Sequence, residues 1–157
     1  MGKIEREMRQ NRPSPSIHQE VIVSLLRTTD RLMLPVGELL READLSVSQY
    51  NVLRILRGAR GEGLPCGEIA GRMVQRDPDV TRLLDRLEAR GLVVRRRGES
   101  DRRVVIAAIT KEGLALLERL DRPVEKRLHD VLGHLSKKEL ESLLGLLDRV
   151  RDRGEEP

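Results

Sequence analysis

Between residues 77 and 109 the hydrophobic pattern changes its period halfway along, and that change leaves few ways for the rest of the chain to fold. Asp77 is placed to cap a helix, Pro78 takes its first position and Gly91 follows its end. Val80, Leu83, Leu84 and Leu87 then fall on one face at helical spacing. Pro78, Asp79, Arg82, Asp85, Arg86 and Ala89 fall on the other side, with Thr81 on the flank. Residues 92–97 read as a strand, 98–101 as a tight turn around Gly98, and 103–109 as the returning strand. This segment predicts a helix buried on one side, with an arginine-bearing edge offered outward, running straight into a hairpin.

The flanking sequence is helical throughout. Ile17, Val21, Leu25, Leu32, Val36 and Leu39 or Leu40 form one stripe, in which Pro35 should kink or divide the helix. A second helix begins at Ser46, where Gln49 completes a capping box, and carries Val47, Tyr50, Leu53 or Val52, and Leu56 into the glycine-rich break at 58–63. A short third helix covers roughly 66–73, with Ile69 and Met73 inward. Beyond the hairpin, a long helix capped by Thr110 carries Leu114, Leu117, Leu120, Val124, Leu128 and Val131, with Pro123 as a kink. The last helix starts at Ser136, boxed by Glu139, and carries Leu140, Leu143, Leu144, Leu147 and Val150. With one Tyr and no Phe or Trp, the core must be built from Leu, Val and Ile, which favours interdigitating helices. The fold class expected is mainly α with a small β-hairpin wing. The stripes at the two ends of the chain are too long for one short partner, so burial against a second copy is expected, making a homodimer.

Charge placement narrows the partner. Residues 72–103 hold ten arginines (72, 76, 82, 86, 90, 95, 96, 97, 102 and 103) against six acids, a surplus equal to the net charge of +4 of the whole chain. An arginine-dense segment in a neutral scaffold is the footprint of a phosphate-binding surface. The single cysteine, Cys66, rules out an intrachain disulfide and fits a reducing compartment. No apolar run reaches the ~18 residues of a membrane span. Residues 1–16 are polar, contain Pro13 and Pro15, and read as a mobile arm rather than a signal peptide. Cytoplasmic residence is expected. No phosphate loop, nucleophile grouping or HExxH is present, so no enzyme and no cofactor is expected. His129 and His134 lie five apart on different helix faces, which argues against a metal site.

Two short helices followed by a hairpin with a basic tip make a helix-turn-helix with a wing, and the physics suits double-stranded DNA. One helix fits the major groove, of width ~12 Å, and arginines at a hairpin tip suit the narrow minor groove. Asp77 and Asp79 partly oppose a phosphate at the helix N-terminus; they either read cytosine amino groups or orient neighbouring arginines.

Residues 77–93 (DPDVTRLLDRLEARGLV), Arg95-Arg96, Ser100-Asp101-Arg102-Arg103 and Ile109-Thr110-Lys111-Glu112-Gly113 resemble the recognition helix, wing and step into the dimerisation helix of the MarR family of bacterial regulators. Residues 46–56 also resemble that family's second helix, and the likeness spans about 17–153. It implies an obligate dimer reading a pseudo-palindromic operator, probed by a winged domain at 45–110 and held by dimerisation helices at 17–44 and 111–153. It also implies major-groove contacts from Gln75, Arg76, Asp79, Thr81, Arg82 and Arg86. In the minor groove it implies Arg103, assisted by Arg102 or Arg97, with Arg95 and Arg96 as further wing candidates and Asp101 bracing a wing arginine. The function implied is that of a repressor occupying an operator near a promoter, released in many relatives by a small, often aromatic, acid between the dimer helices and the DNA head. Tyr50 and His18 are the candidate lining of that crevice, although Tyr50 also reads as an ordinary core ring. Cys66 reads as a helix-starting residue, since the family's hydroperoxide sensors carry their cysteine in the first helix. The rival reading is a winged-helix protein-interaction module, kept open by Asp79 and Asp85 on the exposed face.

Overall fold

A computed structural model describes residues 3–9, 11, 14–59, 61–75, 79–98 and 101–152. Seven helices and three strands follow in the order α1 (Lys3–Glu7), α2 (Ile17–Glu42), α3 (Val47–Gly58), β1 (Leu64–Pro65), α4 (Cys66–Arg72), α5 (Val80–Ala89), β2 (Val93–Arg97), β3 (Val105–Ile109), α6 (Lys111–Leu132) and α7 (Lys137–Asp152) among these residues. The mainly helical class with a small wing is what the sequence pattern called for.

Local chemistry sets most helix starts. Ser46 accepts from the Gln49 N–H while the Gln49 side chain accepts from the Ser46 N–H, a reciprocal box. Ser136 and Glu139 do the same at α7. Thr110 opens α6: its hydroxyl accepts from the Gly113 N–H at 3.1 Å and donates to the Gly91 carbonyl at 2.7 Å. Pro35 does not divide α2, which runs unbroken past it. Residues 3–7, inside the segment read as an arm, form the helix α1, whose Ile4 is buried and whose Glu7 pairs with Arg31 of α2.

Two boundaries differ from the sequence reading. Helix α5 starts at Val80, with Asp79 as its cap; the Asp79 carboxylate accepts from the Arg82 N–H at 3.0 Å. Asp77 and Pro78 lie outside the described residues. The returning strand starts at Val105 rather than 103, because the Arg103 N–H is taken by the Asp101 carboxylate at 2.9 Å and does not enter the ladder. The tip is closed by Gly98 N–H donating to Val104 and Val104 N–H donating to Asp101.

The sheet is antiparallel in the order β1-β3-β2, with Val93 opposite Ile109 and Arg97 opposite Val105. Strand β1 was not foreseen, since two residues carry no readable period. It pairs Leu64 with Ala107 and Pro65 with Ile106. Gly63, at φ +79°, leads into it, and a Cβ there would sit 2.6 Å from the Ala107 carbonyl oxygen.

The core gathers Leu40 from the end of α2, Leu45 from the turn after it, Leu53 and Leu56 from α3, Ile69 from α4, Leu84 and Leu87 from α5 and Leu117 from α6, all fully buried. Tyr50 is the one ring and is also buried. The ends of the chain contrast with this. Ile17, Val21, Ile22 and Leu26 of α2 are exposed, and α7 buries none of its residues, leaving Leu143, Leu144, Leu146 and Val150 exposed.

The Ile-Thr-x-x-Gly step has a packing reason. Gly113 sits where a Cβ would collide with the Leu92 carbonyl and the Ile109 side chain, so the first turn of α6 lies directly on the hinge between α5 and β2. Gly113→Ala is expected to destabilise the protein by about 1–3 kcal/mol in chemical denaturation, because backbone cannot yield as a flexible side chain would. Unchanged stability would show that this approach is not tight.

Candidate nucleic-acid interface

Helix α5 owes its orientation to its buried face. Val80, Leu83, Leu84 and Leu87 are inside, which turns Thr81, Arg82, Asp85 and Arg86 to solvent. Arg82 stays close to the capping carboxylate, with Nε 4.0 Å from Asp79, and its side chain remains 70% exposed. Asp79, Arg82 and Arg86 rim a shallow depression on this edge. Asp79 therefore serves the helix end first, its carboxylate accepting from a backbone N–H. Arg76, expected just before the helix, lies outside the described residues.

At the wing tip Arg97, Arg102 and Arg103 all face solvent. Arg97 donates to the Arg102 carbonyl at 3.3 Å. Asp101 accepts from the Arg103 backbone N–H, from Nε at 3.2 Å and from Nη2 at 3.3 Å. The Arg103 side chain is nevertheless 92% exposed. This pairing keeps the Asp101 carboxyl below the usual carboxylate range.

Arg95 is placed differently from the expectation of a groove contact. Its side chain is only 24% exposed and is turned back onto α5, where Nη2 lies 2.7 Å from Asp85 and 2.6 Å from Glu88. Glu88 also accepts from the Arg95 backbone N–H at 2.9 Å, covering an edge-strand donor that faces away from β3. Sequence reasoning missed Glu88, because a seven-residue separation across a helix-to-strand hinge corresponds to no regular spacing. Asp85 is accounted for by the same clamp. Arg96 reaches across to the Glu62 carbonyl at 3.0 Å.

Gln75, expected beside the recognition helix, is exposed. It lines an apolar crevice between α2 and α3, a cavity of about 260 Å³ that also involves Met33, Val36, Tyr50, Arg54 and Leu128. It borders an adjoining groove of about 690 Å³ along α2 too. The turn carrying Gln75 is fixed by the Asn51 side chain, which accepts from the Val74 N–H at 2.8 Å. Tyr50 sits in the crevice wall with the Arg54 guanidinium 5.9 Å from its ring centroid, and burial pushes its hydroxyl pKa up. His18 does not join it. Within one chain His18 lies at the start of α2, in an apolar hollow with Ile17, Val21 and Ile22.

Cys66 heads α4 with its thiol 3.7 Å from the Val105 carbonyl, partly buried beside the sheet. Among the described residues no group of three or more His, Cys, Asp or Glu side chains could hold a metal ion. No helix among them is long and apolar enough to cross a membrane.

The Glu88 clamp sets a pH dependence. The hydrogen bonds from Arg95 hold the Glu88 carboxyl below its ordinary value of 4.5. A depressed folded pKa means stabilisation that is present above the unfolded value and lost as pH falls through the folded one. The NMR shift of the Arg95 amide is therefore expected to titrate below pH 4.5. A midpoint at or above that value would contradict the clamp.

The sequence model described as the MarR family matches residues 45–105, which span α3 to the start of β3. The HTH-type transcriptional regulator FarR of Neisseria gonorrhoeae is 30% identical over 143 residues, covering 89% of this chain and 97% of its own. A crystal structure of a MarR transcription factor from Planctomyces limnophilus is 43% identical, covering 87% of this chain and 98% of its own, with a TM-score of 0.67. A MarR variant from E. coli complexed with operator DNA is 24% identical with a TM-score of 0.76, covering 86% of this chain and 98% of its own; at that identity the likeness is one of fold.

Proposed function

Because the chain belongs to the MarR family and is a winged-helix, DNA-binding transcriptional regulator, we propose that the outer edge of α5 and the wing tip together form its operator-reading face. The observation carrying this reading is the pairing of an exposed, arginine-bearing edge on α5 with an exposed Arg103 at the tip of a hairpin whose first strand, β2, is clamped to that same helix. Thr81, Arg82 and Arg86 enter the major groove, where a bidentate guanidinium reads guanine. Arg103 enters the minor groove, with Arg97 and Arg102 beside it supplying phosphate contact and local potential. Arg95 is a brace and not a contact, since its charge is already matched by Asp85 and Glu88.

The working unit we propose is a homodimer. The apolar stripes of α2 and α7 stand exposed on the single chain, and a second copy related by a twofold axis covers both. Two heads on such an axis fit a pseudo-palindromic operator. Repression by occupying that operator, in the cytoplasm, is the simplest role for such a reader. Release follows from a small-molecule effector in the crevice between α2 and α3, where Met73, Val74 and Gln75 form one wall. The E. coli structure shows operator DNA bound to a protein of this fold, which supports the placement of α5 and the wing.

Arg103→Ala is expected to weaken binding to every duplex and to flatten the dependence of log K on log[salt] by about one charge. Arg82→Ala should cost about 1–3 kcal/mol, chiefly on the preferred sequence. Titration of each variant against the operator and an unrelated duplex over a salt series checks both. If both bind like the wild type, the DNA face lies elsewhere.

A further inference from the structure

Two guanidinium ties join the winged head to the two long helices. At the end of α5, Arg90 donates from Nη2 to the Ala43 carbonyl at 3.1 Å and from Nη1 to the Asp44 carbonyl, both at the C-terminus of α2. That terminus presents carbonyls that the helix cannot satisfy itself, and its partial negative charge favours a cation. Asp44, at φ 54°, ends the helix in the left-handed region, which aims its carbonyl at Arg90. On the other side, Arg57 of α3 reaches Asp121 of α6 with Nη1 at 3.0 Å from Oδ1 and 2.8 Å from Oδ2. One tie thus fixes the recognition helix to α2, and the other fixes α3 to α6. Neither arginine belongs to the operator-reading face: Arg90 points at the α2 corner and Arg57 at α6.

We propose that Arg57 and Arg90 are specificity-determining positioning residues, which set the half-site spacing the dimer accepts by fixing the angle between each winged head and its dimerisation helices. This rests on the dimeric operator reading above. The lever is long. Helix α2 has 26 residues, about 39 Å at ~1.5 Å per residue. A tilt of roughly 5° at its head end displaces the far end by about 3.4 Å, the rise of one base pair. Holding the angle to a few degrees is what separates one spacing from the next. The apolar core fixes which elements touch, but leucines slide over one another more readily than a guanidinium leaves two oxygens. A tie made of few directional bonds is suited to the angle, while adding little to total stability.

The test uses the full-length dimer. An inverted repeat is first selected from random duplex by the wild type at ~150 mM salt, and binding is then measured on a series of that repeat with spacers shortened or lengthened by one and two base pairs. The wild type is expected to lose at least about tenfold in affinity for a one-base-pair change. Arg90→Gln and Arg57→Gln are each expected to shrink that loss to below about threefold while keeping the half-site sequence, measured by single-base substitutions. Exchanging the pair, Arg57→Asp with Asp121→Arg, should restore the sharp spacing. Melting and sedimentation confirm that each variant is folded and dimeric. If folded variants keep the tenfold discrimination, or lose half-site preference instead of spacing preference, the proposal is overturned. Should Arg90→Gln not fold, the Arg57 variant and the exchanged pair decide the matter. Failure of the wild type to enrich any inverted repeat overturns the operator reading itself, and is seen before any variant is made.

Discussion

Val80, Leu83, Leu84 and Leu87 press one face of α5 into a core shared with Leu53, Leu56, Ile69 and Leu117, and everything functional about the head depends on that burial. Each such side chain contributes about 1.5–3 kcal/mol on leaving water. Partly exposed ion pairs such as Arg95 with Glu88 contribute far less, ~0–1 kcal/mol each. Apolar burial therefore decides that α5 lies across the head with its arginine edge outward. The polar contacts then decide angles: where the wing leaves the helix, and how the head meets α2 and α6. Without the buried face, those bonds would have no fixed geometry to refine.

The arginines of the basic segment divide along the same line. Arg72 pairs with Glu68 on its own helix, Arg90 with carbonyls of α2, Arg95 with carboxylates of α5, and Arg96 with the Glu62 carbonyl. Arg82, Arg86, Arg97, Arg102 and Arg103 face solvent along α5 and the wing tip. A charge surplus read from the sequence marks the region, but only partner geometry separates the cations that organise the head from those offered outward. Asp101 and Asp79 work on the outward side as holders. They fix the base of Arg103 and the first turn beneath Arg82, so each side chain has less freedom to lose on meeting a partner.

Features written over three or four residues were legible from sequence. The Ser46–Gln49 and Ser136–Glu139 boxes and the Thr110 cap formed where their spacing placed them, since both partners lie within one helical turn. The buried face of α5 and the inward Ile69 and Met73 were legible for the same reason. The start of α5 was not: Asp77 and Asp79 flank Pro78, and either could cap. Nor was the start of β3, where an aspartate two residues back captures the Arg103 amide. The Arg90 tie spans 46 residues and the Arg57 tie 64, distances at which only the assembled fold brings partners together. The candidate site was thus readable as a region and as a helix edge. Its division into contacts, braces and ties was not, and the pairing of His18 with Tyr50 did not form within one chain.

The claim at the centre of this account is that α5 reads the major groove while the wing tip reads the minor groove of the same half-site. Methylation interference separates the two, because guanine N7 lies in the major groove and adenine N3 in the minor groove. On the selected operator, wild-type binding is expected to be blocked by methyl groups in both grooves. Arg82→Ala should erase interference at one guanine N7 position per half-site, and Arg103→Ala should erase it at an adjacent adenine N3. Interference that is unchanged in both variants, or confined to one groove, would contradict the account.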